Sequence, residues 1–167
     1  INDSSNHNNK DEIISALSRG VIAEKTYDAN EQHYEVPPEF FNQVLGANLK
    51  YSCSLFDNVN SLDEAEKSML ELYIERAEIK NGYAILDLGC GWGVLTHYMQ
   101  KKGGDVTGFD LDEGVKPYFD LMSNLMGVKP KFKNIDIFSD DLPLDYDVYI
   151  ACDVCFWEVH TDKWVAL

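Results

Sequence analysis

Apolar residues recur at helical spacing in some stretches of the chain and gather into short runs in others. Ile13, Ile14 and Leu17 predict a helix over residues 11–19, with Gly20 as its stop. A longer helix is predicted from Leu62 to about Ile79, with Ala65, Met69, Leu72, Tyr73 and Arg76 on one stripe. Ser61 and Glu64 form the capping box that opens it, and Asn81-Gly82 closes it. Strand-length runs follow at 84–88, 105–110, 131–135 and 147–152. A helix starts at Val94, and another is predicted over Val115–Met126, with Pro117 in its first turn and Gly127 as its stop. Strands and helices alternating at this length predict a parallel sheet with right-handed crossovers. The expected strand order is three-two-one-four.

The fold class is therefore α/β, a doubly wound parallel sheet behind an N-terminal helical extension. Residues 1–10, rich in Asn, Ser and Asp, predict a disordered tail. Residues 11–80 are assigned to the extension and 81–167 to the α/β core. The chain opens on Ile1 and closes in what reads as the first turns of a helix, Thr161 to Leu167. The last strands of the sheet are thus expected to be lacking. The open edge at Val148-Tyr149-Ile150 is expected to pair with a second copy or a partner chain.

Between the first strand and its helix stands Asp87-Leu88-Gly89-Cys90-Gly91-Trp92-Gly93. Such a turn lets a ligand approach the backbone, and the helix start behind it offers free N–H groups. The second strand ends in Asp110, about twenty residues on, where a carboxylate can accept bonds from both ribose hydroxyls. Leu111 beside it is counted to the same site. The glycine spacing is tighter than that of a dinucleotide fold. Asp87 would repel a pyrophosphate but pair with an amine, so a nucleoside carrying an amino acid fits better. Asp136 and Ile137, just past the third strand, could receive an adenine amino group and a ring nitrogen. Asp136 could equally cap the following turn.

Composition narrows the partners. A formal charge of −15 over 167 residues gives a surface that repels nucleic acid and anionic lipid. No apolar run reaches membrane-span length, and the polar first residues do not form a secretory signal. Cys53, Cys90, Cys152 and Cys155 show no disulfide framework, which favours reduced thiols and a cytoplasmic setting. Cys152-Asp153-Val154-Cys155 has C-x-x-C form, but a zinc site would need a fourth ligand, and no metal is expected.

Tyr51-Ser52-Cys53 precedes the sheet and belongs to no part of it. Its residues, like those from Gln32 to Phe41, suit either a lid over a pocket or a packed cover on a sheet edge. The glycine turn resembles the first motif of class I S-adenosylmethionine-dependent methyltransferases, a Rossmann-like fold. His33-Tyr34-Glu35-Val36, Tyr51-Ser52-Cys53, Ser61 to Glu66 and Asp87 to Gly93 resemble the cyclopropane fatty-acid synthase and coclaurine-type N-methyltransferase family, in that order. The resemblance implies S-adenosylmethionine as cofactor. It places Tyr51, Ser52 and Cys53 over the methionine end, and Asp87, Gly89, Cys90, Gly91, Trp92, Gly93 and Asp110 around the remainder.

The second half departs from that family. After the fourth strand the family carries Met-Phe-Glu-His, where this chain has Phe156-Trp157-Glu158-Val159-His160. Glu158, His160 and Asp153 are the bases expected near the reacting group, with Cys53 as a further catalytic candidate. The expected activity is methyl transfer to a small-molecule acceptor, foremost an amine nitrogen. Lipid cyclopropanation is the alternative within enzymes, and a non-catalytic S-adenosylmethionine-binding module is the alternative outside them.

Overall fold

A computed structural model describes residues 38–137 and 141–152, all within one compact unit, 34–154. The predicted tail, the helix over 11–19, His33 to Val36 and the closing segment 161–167 lie outside the described residues. So do Asp153, Glu158 and His160.

A short helix, α1 (Pro38–Val44), precedes α2 (Leu62–Arg76), and residues 45–61 between them carry neither helix nor strand. The capping box of α2 is formed: the Ser61 side chain accepts from the Glu64 N–H, and Glu64 reaches back to the Ser61 N–H. The helix ends three residues short of Ile79, at the Ala77 cap. Its buried positions are Ala65, Glu66 and Leu70, while Arg76 is exposed. One of the three most buried positions is thus a carboxylate, which an apolar periodicity cannot register.

Then follow β1 (Ala84–Leu88), α3 (Val94–Lys101), β2 (Asp105–Asp110), a 3-10 turn (Glu113–Val115), α4 (Lys116–Met126), β3 (Lys131–Asn134) and β4 (Val148–Ala151). All pairs are parallel, in the order β3-β2-β1-β4. In register, Asp87 stands between Gly108 of β2 and Ile150 of β4. Ile85, Met99, Val106 and Ile150 form a core cluster, with Ile74, Ile79 and Tyr83 packed on it. Pro117 sits in the first turn of α4, and Gly127 caps that helix at φ 70°.

Chain order reverses at β1, whose neighbours are β2 on one side and β4 on the other. In open α/β sheets the ligand crevice lies outside the carboxyl ends of the strands at such a switch point. The glycine turn leaves β1 at that point.

Candidate active site

Gly89, Gly91 and Gly93 all adopt left-handed backbone, with φ of 70°, 52° and 76°. Three such residues in five positions make a turn that side-chained residues resist. Space also demands glycine: a Cβ on Gly93 would lie 2.4 Å from the Phe119 ring. One on Gly108, in the neighbouring strand, would lie 2.7 Å from Cys90 Sγ.

The end of β2 holds the turn in place. The Gly89 and Cys90 N–H groups both donate to the Phe109 carbonyl, at 2.8 and 2.9 Å. The Gly91 N–H donates to Asp110 Oδ2 at 2.7 Å, and the Asp112 N–H donates to Oδ1 at 3.0 Å. β3 is tied to the same corner. The Ile135 N–H donates to the Asp110 carbonyl, and Asn134 Nδ2 donates to the carbonyls of Asp110 and Leu111. Half-buried Asp136 and buried Ile137 therefore leave β3 beside the end of β2, and the Leu111 side chain is exposed.

Asp87 lies beneath the turn, 3% exposed, and accepts from the Thr96 hydroxyl at 2.5 Å. Burial pushes its carboxyl up to about 7; the Thr96 bond opposes this and the Asp110 charge adds to it. Asp110 is also raised, chiefly by burial. The Cys90 thiol is driven far up by burial and by these two carboxylates, so it is no nucleophile. Two acidic groups under a turn with no basic residue in it disfavour a phosphate and suit a cationic ligand.

His97, fully buried, clips the turn to α4. Its Nδ1 lies 2.5 Å from the Gly93 carbonyl and Nε2 lies 2.8 Å from Ser123 Oγ. A carbonyl only accepts, so Nδ1 carries the proton. Burial lowers the His97 pKa and keeps the ring neutral.

The segment before α2 rests on this turn. The Tyr51 ring meets Phe41 edge-on at 5.1 Å and lies 6.5 Å from Trp92 at 29°. Trp92 stacks flat on Tyr118, at 5.0 Å and 5°, and meets Phe41 at 4.7 Å. Ser52 and Cys53 are exposed. Tyr51 and the glycine turn, 40 positions apart in sequence, thus share one aromatic cluster. Tyr118, Thr96 and His97 belong to this site and were not singled out by the sequence, while Phe41 was read only as the end of the 32–41 segment, lid or packed cover. Only the spacing of Thr96 and His97, one helical turn after the last glycine, offered a signal for them.

The model of the mycolic acid cyclopropane synthetase family matches residues 22–132. The chain belongs to that family. It is 52% identical over 91 residues to (S)-coclaurine N-methyltransferase of Thalictrum flavum subsp. glaucum, which covers 54% of this chain and 25% of that protein. It is 36% identical over 140 residues to (S)-tetrahydroprotoberberine N-methyltransferase of Eschscholzia californica, covering 81% of this chain and 39% of that one. The crystal structure of a coclaurine N-methyltransferase bound to N-methylheliamine and SAH superposes with a TM-score of 0.64 at 37% identity. That match covers 81% of this chain and 40% of the other. The parallel sheet and its order are those of the class I methyltransferase fold, as the motifs implied. The chain spans 25% and 39% of the lengths of the two curated relatives.

Proposed function

We propose that this chain binds S-adenosylmethionine at the carboxyl ends of β1 and β2 and that the protein methylates an amine nitrogen of a small molecule. The observation that carries the cofactor reading is the acidic turn itself: Asp87 beneath it, Asp110 bonded to Gly91, and aromatic rings over it. Asp87 is assigned to the cofactor's ammonium group and Asp110 to its ribose. Asp136 and Ile137 are assigned to the adenine, and Tyr51, Ser52 and Cys53 to the methionine end. Asp110 keeps acceptor capacity for ribose, since each carboxylate oxygen accepts more than one bond.

When bound, the cofactor supplies an electrophilic methyl group on a sulfonium. The protein's part is to hold the acceptor nitrogen in line, exclude water and take up the proton. Asp153, Glu158 and His160 are proposed for the last task. The amine is favoured as acceptor because the 52% identical relative is a coclaurine N-methyltransferase. The net charge of −15 also attracts cationic molecules and repels anionic lipid headgroups.

The side of β4 facing away from β1 is proposed to receive a further strand, from a longer chain, a second copy or a partner. Among the described residues no helix is long and apolar enough to cross a membrane. Cys53 and Cys90 are free thiols, which suits a reducing compartment such as the cytoplasm.

Calorimetry with S-adenosylmethionine and S-adenosylhomocysteine tests the cofactor, with NAD as a phosphate-bearing control. Binding of the first two and not of NAD is expected; the reverse order of affinities would overturn the reading. Methyl transfer to a panel of secondary and tertiary amines, run beside unsaturated phospholipid vesicles, tests the acceptor. Turnover confined to the vesicles would replace amine methylation with lipid cyclopropanation.

A further inference from the structure

Lys50 is the most deeply buried cation among the described residues, at 4% exposure. Its Nζ donates to Ser52 Oγ at 2.5 Å and to the Cys53 carbonyl at 2.9 Å. The same ammonium lies 5.4 Å from the centre of the Tyr73 ring on α2. A lysine is seldom buried to this degree unless its charge is satisfied, and these contacts supply part of that. They also reach across Tyr51, since both hydrogen bonds land on the two residues after it.

The backbone of Lys50 is fixed as firmly. Glu66, fully buried on α2, accepts the Gly46 and Lys50 N–H groups on Oε1, at 2.8 and 3.3 Å. Its Oε2 accepts the Asn48 N–H at 2.9 Å. Asp63 takes the Ala47 N–H at 2.8 Å. Leu49 is held in left-handed backbone, φ 50°, a conformation that a branched side chain adopts only when its surroundings impose it. A Cβ on Gly46 would lie 2.8 Å from the Glu66 carboxyl. The loop from Gly46 to Lys50 is thus built around one buried carboxylate and delivers one buried ammonium to the segment that follows.

We propose that Lys50 is a positioning residue, whose ammonium holds Tyr51-Ser52-Cys53 against the glycine turn so that Tyr51 keeps its place beside Trp92. The role rests on the cofactor reading above for its functional meaning, though the hold on the segment does not. Lys50 approaches the site through the backbone and side chain of its neighbours, so it is not a catalytic residue. Hydrogen bonds from a charged donor are the stronger kind, and losing two together should release the segment.

Lys50→Met keeps most of the stem volume and removes the donors. In the ligand-free full chain, alkylation of Cys53 should speed up severalfold while Cys90 stays slow, which separates release of the segment from general unfolding. Affinity for S-adenosylhomocysteine should fall by about tenfold, and this ligand, expected to slow Cys53 labelling in the native chain, should no longer do so. Lys50→Arg, which keeps a cation and its donors, should recover part of both. If Lys50→Met does not fold, Ser52→Ala removes the shorter bond at an exposed position, and Cys53 labelling without ligand should again rise. A folded Lys50→Met, or a Ser52→Ala, with unchanged Cys53 labelling overturns the proposal. A native chain that binds no S-adenosyl ligand would instead overturn the cofactor reading, and the ligand-free labelling rates would still judge Lys50.

Discussion

The Asp110 carboxylate accepts the Gly91 amide at 2.7 Å, so the acid at the end of β2 holds the turn that leaves β1. A residue assigned to ribose therefore also shapes the cradle, and removing it has two effects. Asp110→Ala should weaken S-adenosylmethionine by about 1.5–3 kcal/mol and destabilise the ligand-free chain by about 1–3 kcal/mol, since two backbone donors lose their acceptor. Asp110→Asn keeps an acceptor for one of them and should recover part of the stability. Paired calorimetry and urea denaturation check this; unchanged affinity in a folded Asp110→Ala would remove the ribose assignment.

Two thiols near the turn should behave oppositely. Cys53 is exposed, whereas burial and two adjacent carboxylates hold Cys90 protonated. In the ligand-free chain at about pH 8, iodoacetamide should label Cys53 at least about tenfold faster than Cys90, because only thiolate reacts. Mass spectrometry of the two peptides reads the ratio. Comparable rates would mean that the turn opens far more readily than its bonding to Phe109 allows.

β1 and β2 were legible because each ends in an acid or an acid and glycines with a helix-starting pattern after it. By contrast β3, Lys131-Phe132-Lys133-Asn134, carries a single apolar residue and was read from its place in the alternation. Strand order was expected from the doubly wound fold class, with no knowledge of side chains. The glycine turn was legible for a related reason, since left-handed backbone leaves a compositional mark. What stayed hidden depends on pairs far apart in sequence. Glu66 reads as one more polar position on an amphipathic helix until Gly46, Asn48 and Lys50 bring it their N–H groups. Lys50 likewise reads as a surface lysine before a motif. Tyr118 read as an ordinary aromatic of its helix, and Phe41 as one ring of a lid or cover, until Trp92 stood between them. The role proposed for Tyr51 comes from family resemblance alone, because nothing local tells a lid from packing.

His97 should stay neutral to a lower pH than an ordinary histidine does. Burial lowers its pKa below 6.5, against the favourable Gly93 carbonyl bond and the nearby Asp120 charge. Its contribution to stability is therefore present above pH 6.5 and is lost as pH falls through the lowered folded value. His97→Gln should cost about 1–3 kcal/mol at pH 8, through the bonds to Gly93 and Ser123, and the gap to the native chain should narrow under acid. Carbon-detected NMR titration of the ring checks the protonation directly. A His97 that titrates at or above 6.5 would contradict the clip.

Asp87 works in the opposite direction over an overlapping range. Its folded pKa is raised from 3.8 to about 7, so the folded chain holds this proton more tightly than the unfolded chain does. The stabilising effect is complete below pH 3.8 and is lost as pH rises through about 7. Asp87→Asn keeps an acceptor for Thr96 and cannot ionise. It should gain on the native chain between about pH 4 and 8, by up to about 4 kcal/mol, the ceiling set by that shift. The His97 contribution is present in both proteins and cancels in the difference. The same substitution removes the negative charge assigned to the cofactor's ammonium group. Asp87→Asn should therefore be the more stable protein at pH 8 and the weaker binder, with S-adenosylmethionine affinity down by about tenfold. In the native chain, affinity should rise between about pH 6 and 8 as the carboxyl ionises, and Asp87→Asn should abolish that rise. Denaturation and calorimetry at matched pH values check both halves. A variant that is stabilised yet binds the cofactor as tightly as the native chain, with the same pH profile, would leave Asp87 as a support for Thr96 and the turn alone.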